Sequence, residues 1–306
     1  MGMHQGLIVG LTGGLWQGLG SKPGSTLVLL QSSTVSCEAA VIAPTLLEYF
    51  AADTPNATAA VIAPQLYDNI YDMAVRAGLG TDLVIALDAT LLASGDFTNL
   101  GTAGGTFADA GSPTYANAFA APVAGNAVGF DTVASDAFVA SNTTMGDAGT
   151  SQVAVFCIFS ADSEDIAGSI VSKRDTASGA GWLLRTNAAD TISFVIEDSI
   201  GTAVTAAPTG DICTGAAVYA AGRYIPGLSG TVAAWHSASA GETSAAAVSL
   251  LTAASAEATT LGKSASNSSF GQTTGKIRAV LVWVGAGAES VTRTNTDALW
   301  ALFKTS

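Results

Sequence analysis

The stretch SIVSKRDTASGAGWLLRTNAADTISFVIE, residues 169–197, says more about the fold than any other part of this 306-residue chain. It predicts short strands at 169–172, 181–185 and 192–197, separated by polar turns. The adjacent basic pair Lys173-Arg174 follows the first strand, and we interpret it as part of a solvated turn. Strands and turns at this spacing are typical of antiparallel sheet.

The third of these strands shows the clearest alternation along the chain. Ile192, Phe194 and Ile196 fall on one face, while Ser193, Val195 and Glu197 fall on the other. Period-two patterning places one face on a core and the other towards solvent. The segment therefore predicts a strand of a β-sandwich.

Other segments extend this pattern in a recognisable order. They are residues 99–131, VAVFCIFS at 153–160, GTVAAWHS at 230–237, and GKIRAVLVWV at 275–284. Together with the opening stretch they resemble the LamG-like, or concanavalin A-like, jelly roll over residues 82–306. The resemblance implies a mainly β fold, an antiparallel two-sheet jelly-roll sandwich that binds or displays, and only some members of such families catalyse.

The period changes near the end of the chain. Leu299, Leu302 and Phe303 recur at i, i+3 and i+4 and predict a short helix over 292–303. Asp297 near its start and Lys304 near its end suit the helix dipole.

Residues 1–30 form a Gly-rich, apolar segment without the basic residues that begin a secretion signal. Glycines disfavour a stable helix, so we interpret the segment as an N-terminal arm. We expect this arm to contact neighbouring protein chains. The apolar side chains expected to make these contacts are Leu7, Ile8, Leu11, Leu15 and Trp16.

Residues 31–80 contain the repeat AAVIAP, at 39–44 and again at 59–64. Each copy precedes a helix-like run, and Pro64 and Gly78 mark the boundaries of the second run. We predict a small, partly helical attachment module here, with chance similarity of Ala-rich sequence as the alternative. The jelly roll then occupies residues 81–306.

Composition excludes two classes of partner. The net charge of −13 argues against binding to a nucleic-acid backbone. No uninterrupted apolar run reaches the about 20 residues of a membrane-spanning helix, so membrane insertion is not expected. Only 11% of residues are charged, against about a quarter in ordinary domains, which favours surfaces buried in an assembly.

The sequence predicts no catalytic residue. Glycosidases on this scaffold place carboxylates on one strand face, whereas the adjacent pairs Glu164-Asp165 and Glu197-Asp198 would point to opposite faces. His236 alternates with Trp235 on a strand, and no G-x-S-x-G elbow accompanies it. We expect a protein that is not an enzyme and needs no cofactor.

No metal site is predicted either. Asp131, Asp136, Asp162 and Asp165 are the residue type that holds Ca²⁺ at a sandwich rim, but their spacing is not diagnostic. Cys37, Cys157 and Cys213 lack metal-ligand spacing, and a contact between Cys157 and Cys213 stays open.

Aromatic residues near the predicted loops offer a platform for sugar binding. The chosen candidates are Trp182, Tyr224 and Trp235, with Tyr115 as a further member of the group. The alternative is that these rings pack in the core.

These observations support three hypotheses. The first is a structural protein of a bacteriophage particle, a capsid decoration or tail appendage located in the virion. Its partners would be other virion proteins and copies of itself through the arm, with host surface glycans as a further partner. The second is a carbohydrate-binding module of a bacterial surface or exported protein. The third, a glycan-cleaving enzyme, ranks last because paired carboxylates are missing.

Overall fold

A computed structural model describes the chain at residues 69–92, 94–123, 125–130, 136–161, 168–175, 179–187, 190–198, 200–227, 231–246, 255–263, 268–269 and 275–304. These residues form an antiparallel two-sheet sandwich, which confirms the predicted fold class. The predicted arm at 1–30 (Leu7, Ile8, Leu11, Leu15 and Trp16), the AAVIAP repeat and Cys37 lie outside the described residues.

Sheet 1 contains eight strands within the described residues, in the order β14-β13-β12-β7-β17-β5-β4, with β1 also paired to β17. Their bounds are β1 Leu83–Asp88, β4 Thr114–Ala118, β5 Asn126–Phe130, β7 Val153–Ser160, β12 Val218–Ile225, β13 Thr231–His236, β14 Thr243–Ala246 and β17 Gly275–Val284.

Sheet 2 contains nine strands in the described part, in the order β11-β10-β9-β8-β15-β6-β3-β2, with the two-residue β16 paired in parallel to β8. Their bounds are β2 Phe97–Thr98, β3 Thr106–Ala110, β6 Ala137–Ala140, β8 Gly168–Arg174, β9 Gly181–Thr186, β10 Ile192–Glu197, β11 Ala203–Ala206, β15 Thr260–Leu261 and β16 Ser268–Ser269.

The main hydrophobic core lies between the two sheets. The core face predicted for β10 is confirmed, because Ile192, Phe194 and Ile196 all belong to this core. The opposite face was expected towards solvent, but Ser193 and Val195 on it are buried. Gly222 of β12 allows the sheets to approach closely, since a Cβ at this position would lie 2.2 Å from the Phe194 ring. A bulkier residue there would force the sheets apart.

A second core lies on the opposite face of sheet 1, beneath two helices. Helix α1 spans Ile70–Arg76, and helix α2 spans Arg293–Phe303. All eight residues of β7 are buried because both faces of this strand are covered. The residues of the second core come from α1, α2 and sheet 1, and they include Ile70, Met73, Phe156, Leu281, Trp283, Leu299 and Phe303.

Helix α1 starts where Asn69 caps it, accepting a hydrogen bond from the Asp72 amide at 3.1 Å. It ends before Gly78, which adopts a positive φ of 75° as predicted for a helix-terminating glycine. The described helix therefore begins at Ile70, well after Pro64.

Helix α2 confirms the predicted C-terminal helix, with Thr292 as its N-cap. The predicted dipole role of Asp297 is wrong, because no acidic residue lies in the first turn of α2. Asp297 instead accepts a hydrogen bond from Arg293 Nε at 2.9 Å and another from the Tyr219 hydroxyl. The bond from Tyr219 fastens α2 to β12, whereas the bond from Arg293 lies within α2.

Cys157 and Cys213 are both buried in the main core, and burial raises the pKa of Cys157 well above its ordinary value. Of the helices described, none has the length and apolar character needed to cross a bilayer.

Candidate functional site

The outer face of sheet 2, across β8, β9 and β10, is the candidate binding face. Trp182 and Leu184 of β9 point into the main core, so the alternating residues Leu183 and Arg185 point to the outer face. Strand register then arranges the outer residues in three cross-strand rows: Arg174–Gly181–Glu197, Ser172–Leu183–Val195 and Ser169–Arg185–Ser193.

The first row holds an ion pair that spans a glycine. Arg174 and Glu197 are the partners of Gly181 on its two sides, and the Arg174 guanidinium donates to the Glu197 carboxylate. Arg174 Nε also donates to the carbonyl of Gly179 at 2.9 Å. Gly181 is required here, because its φ is +127° and a Cβ would lie 1.8 Å from the Lys173 carbonyl oxygen.

The middle row is apolar at its centre. Leu183 and Val195 are buried, as is Ser172, whose hydroxyl lies 2.9 Å from the Thr260 hydroxyl of β15. Thr205 of β11 continues this row beyond Val195 and is exposed. Thr205 is therefore the exposed side chain of this row, and the other three are buried.

The third row contains a cation without a carboxylate partner among the described residues. Arg185 Nε donates to the Ser193 hydroxyl at 3.3 Å, and its guanidinium is partly exposed. Burial, and secondly the nearby charge of Arg174, lower the pKa of Arg185. Ser169, its partner on β8, is fully buried.

Lys173 corrects the interpretation of Lys173-Arg174 as a solvated turn. Strand β8 continues to Arg174, and Lys173 is 0% exposed. Its ammonium donates to the carbonyl oxygens of Thr143 at 2.6 Å, Ser255 at 2.7 Å and Glu257. An ammonium carries three N–H donors, so all of them are satisfied.

These bonds make Lys173 a cross-link between two segments at one end of the sandwich, residues 141–151 and 255–259. Burial lowers the pKa of Lys173, whereas the charges of Asp147 and Glu257 raise it. Trp182 Nε1 adds a hydrogen bond to the carbonyl of Gly146 at 2.9 Å. The same β8–β9 pair that carries the binding face therefore holds the adjacent rim in place.

The predicted aromatic platform is not formed in this structure. Trp182 and Tyr224 lie in the main core, and Trp235 lies in the second core beneath α2, each at 0% exposure. Trp235 Nε1 donates to the Thr296 hydroxyl at 2.8 Å. Sugar stacking needs an accessible ring face, so these residues act as core residues here.

Tyr115 is the one partly exposed member of that aromatic group. Its hydroxyl donates to Asp109, and its ring packs edge-on against Phe138 with centroids 6.2 Å apart. Burial, followed by the Asp109 hydrogen bond and charge, raises the pKa of Tyr115 to about 12.

The acidic residues considered for chemistry are engaged in structural contacts. Glu197 pairs with Arg174, and Asp136 is buried and accepts from the Ser112 amide at 2.7 Å. Asp131, Asp162, Glu164 and Asp165 lie outside the described residues. Within the residues that are described, no group of three or more His, Cys, Asp or Glu side chains could hold a metal ion.

His236 is fully buried at the end of β13. Its Nδ1 accepts from the Ala238 amide at 3.2 Å, so its Nε2 carries the proton and donates to the Thr209 carbonyl at 3.1 Å. Burial lowers the pKa of His236. The ring serves as a neutral bridge between two loops.

Arg185 and Ser169 were not singled out by the sequence analysis. Their strands were predicted, and alternation against Leu184 could have placed Arg185 on the outer face. The missing information was the register, which sets Arg185 opposite two serines instead of a carboxylate.

Comparisons with known proteins bear on the fold. No family model matches this chain, and no curated protein matches it. Among solved structures, it is similar to the binding domain of Paraclostridial Mosquitocidal Protein 1, with 9% identity, a TM-score of 0.50 and coverage of 74% of this chain and 52% of that chain.

Two further similar structures come from botulinum neurotoxins. The receptor-binding domain of mosaic serotype C/D has 9% identity and a TM-score of 0.51, covering 74% of this chain and 51% of that chain. The serotype G binding domain has 9% identity and a TM-score of 0.51, covering 72% and 50%. The chain thus spans about half the length of the structures that it matches, and at this identity the likeness establishes a shared jelly-roll-like sandwich fold.

Proposed function

We propose that this chain is a carbohydrate-binding domain that uses the outer face of sheet 2. The observation that carries the proposal is the contrast between the two outer faces. Helices α1 and α2 pack on the outer face of sheet 1, whereas the outer face of sheet 2 keeps Arg174, Arg185 and Glu197 partly exposed above buried serines.

The chemistry of this face suits a sugar. Guanidinium and carboxylate groups offer planar, paired hydrogen-bonding atoms that match neighbouring hydroxyls of a sugar ring. Arg174 and Glu197 provide one of each, held together across Gly181. Leu183 and Val195 in the adjacent row are buried, so the partly exposed charged groups would make the ligand contacts.

The rigidity of the face supports the same proposal. Sites on paired strands hold their side chains more accurately than sites on loops. Residues of β9 pair on both sides, with β8 and β10, and Lys173 restrains the rim next to them. Little ordering would be required when a ligand binds.

The similar structures add support, since they are described as binding or receptor-binding domains. A binding role without catalysis also fits the state of Glu197, because its carboxylate is engaged in an ion pair with Arg174. The proposal accordingly assigns no reaction to the chain.

A glycan array probed with the full chain and two matched variants tests this function. Glu197→Gln removes the carboxylate from the binding face, and Glu242→Gln removes a carboxylate that pairs with Arg223 beside sheet 1. We expect Glu197→Gln to lose the glycans that the wild type retains, and Glu242→Gln to keep them. Absence of any retained glycan, or equal losses in both variants, would contradict the proposal.

The setting of the domain in a bacteriophage virion stays a prediction. It is motivated by the 11% charged residues and the Gly-rich arm, with other virion proteins and copies of the chain as partners of that arm. Mass spectrometry of purified particles tests it, and absence of the chain from those particles would end this part of the proposal.

A further inference from the structure

Arg185 is an unusual cation for this protein. The chain carries 24 acidic and 11 basic residues, and other described arginines such as Arg174, Arg223 and Arg278 each pair with a carboxylate. Within the described residues Arg185 donates only from Nε, to Ser193, and has no carboxylate partner. Partial burial of a guanidinium is costly when no negative charge lies beside it.

Ser169 provides a second, independent observation. Its hydroxyl is buried and makes no hydrogen bond in the described part of the chain, although most buried polar atoms do. Ser169 and Arg185 are cross-strand partners in an antiparallel pair. Their side chains therefore leave the sheet on the same face, with Cβ atoms about 5 Å apart.

The geometry points to a subsite for an anionic group at Ser169, Arg185 and Ser193, so that the glycan bound by this face is acidic and its carboxylate or sulfate lies on Arg185. This inference rests on the proposed function and specifies its substrate class. A carboxylate and a sulfate share the required chemistry, which is two oxygens that accept from one planar guanidinium. An anion here would also accept from the Ser169 hydroxyl, which has no other described partner.

The local charge favours an anion despite the acidic chain. Arg174 and Glu197 lie on the same face as an ion pair without net charge, so Arg185 leaves this face with one positive charge. The carboxylate of Glu197 is taken up by Arg174. Distant acidic residues act weakly, because salt screens charges beyond about 8 Å at physiological ionic strength.

The test compares three probes on the full chain by calorimetry. The first is an oligosaccharide of alternating glucuronic acid and N-acetylglucosamine, the second is its carboxyl-reduced neutral form, and the third is a sulfated neutral oligosaccharide. We expect wild-type protein to bind the first or the third at least about tenfold more tightly than the second, because only these two carry an anionic group that accepts charge-assisted hydrogen bonds from the guanidinium. The better of the two acidic probes identifies the anionic group.

Two variants locate the subsite. Arg185→Gln should lose most of the preference for the acidic probe, while Arg76→Gln on helix α1 removes the same charge and should leave it unchanged. Ser169→Ala should weaken binding of the acidic probe, yet leave the melting temperature equal or higher, because it removes an unpartnered buried hydroxyl. A serine with only a structural role would not combine these two effects.

The outcomes separate this inference from the proposed function. Equal binding of acidic and neutral probes, with loss in Glu197→Gln, would overturn the anionic subsite and leave glycan binding intact. Binding of an acidic probe that Arg185→Gln does not weaken would also overturn it. Failure of all three probes together with an empty glycan array would overturn both. If a variant does not fold, the wild-type comparison of the first two probes still decides the matter.

Discussion

Replacing Lys173 by methionine should destabilise the domain by about 2–4 kcal/mol, because this buried ammonium cross-links two rim segments. Methionine keeps most of the side-chain volume and removes the charge. Three carbonyl oxygens then lose their donor, those of Thr143, Ser255 and Glu257.

The magnitude follows from the burial of each contact. The bond to Ser255 is buried, whereas the bonds to Thr143 and Glu257 are partly buried. The Ser255 carbonyl would stay unsatisfied at a cost of about 1–3 kcal/mol, and the other two could regain water. Three hydrogen bonds from a charged donor would give about 5–9 kcal/mol, but desolvation of the ammonium offsets several kcal/mol of this.

Urea and thermal unfolding, followed by tryptophan fluorescence, measure the effect. Trp182, Trp235 and Trp283 are all buried and should report loss of the cores. For a domain of this size, a change of 3 kcal/mol lowers the melting temperature by about 6–12 °C. Lys276→Met is the matched control, since Lys276 makes one exposed bond, to the Ala118 carbonyl at 3.1 Å, and should change stability by less than about 0.5 kcal/mol.

A Lys173→Met variant as stable as the Lys276→Met control would refute the cross-link. It would mean that the cost of burying the ammonium cancels its three bonds. Proteolysis gives a separate reading, because cleavage within residues 141–151 should become faster only if the cross-link restrains that segment.

Three further predictions follow from the described contacts. Asp88→Ala should destabilise by about 3–5 kcal/mol, because it leaves Arg278 buried without its partner, whereas Glu242→Ala, at the partly exposed pair with Arg223, should cost less than about 1 kcal/mol; equal urea midpoints for the two would contradict this. His236 has a lowered pKa, so the unfolded state binds more protons and stability should fall as pH drops below about 6.5; His236→Asn should remove that slope between pH 7.5 and 5. Gly181→Ala should unfold the β8–β9 pair locally, seen as faster amide exchange there, since its Cβ would overlap the Lys173 carbonyl, while Gly201→Ala at an open turn should leave exchange in β8 and β9 unchanged.

The strands were predictable where the pattern depends on neighbouring residues. Strands β7, β10 and β17 have the bounds expected from the sequence, because continuous or alternating apolar runs define them. Strand β8 starts one residue earlier and ends two residues later than expected. Lys173 in this strand becomes buried because carbonyls 30, 82 and 84 residues away converge on it, and backbone acceptors leave no trace in a sequence.

The aromatic residues failed as site predictions for a related reason. Trp235 alternates along β13 to the face opposite the main core, which would be exposed in a two-layer sandwich. Helix α2 covers that face, so the Trp235 ring is buried in the second core. The helix itself was predicted, but its docking site was not, because the contacts of α2 with β12 and β13 span 78 and 61 residues.

The two sheets therefore divide their tasks according to what covers them. Sheet 1 is covered by a hydrophobic core on each face, so a polar substitution within either core should cost stability. The outer face of sheet 2 instead keeps two arginines and three serines on adjacent strands, and stability alone does not require them there. One arginine is neutralised by Glu197 and the other is not. The charge of the face thus depends on a single side chain, so exchanging Arg185 for an uncharged residue should alter which ligands bind while leaving the sandwich folded.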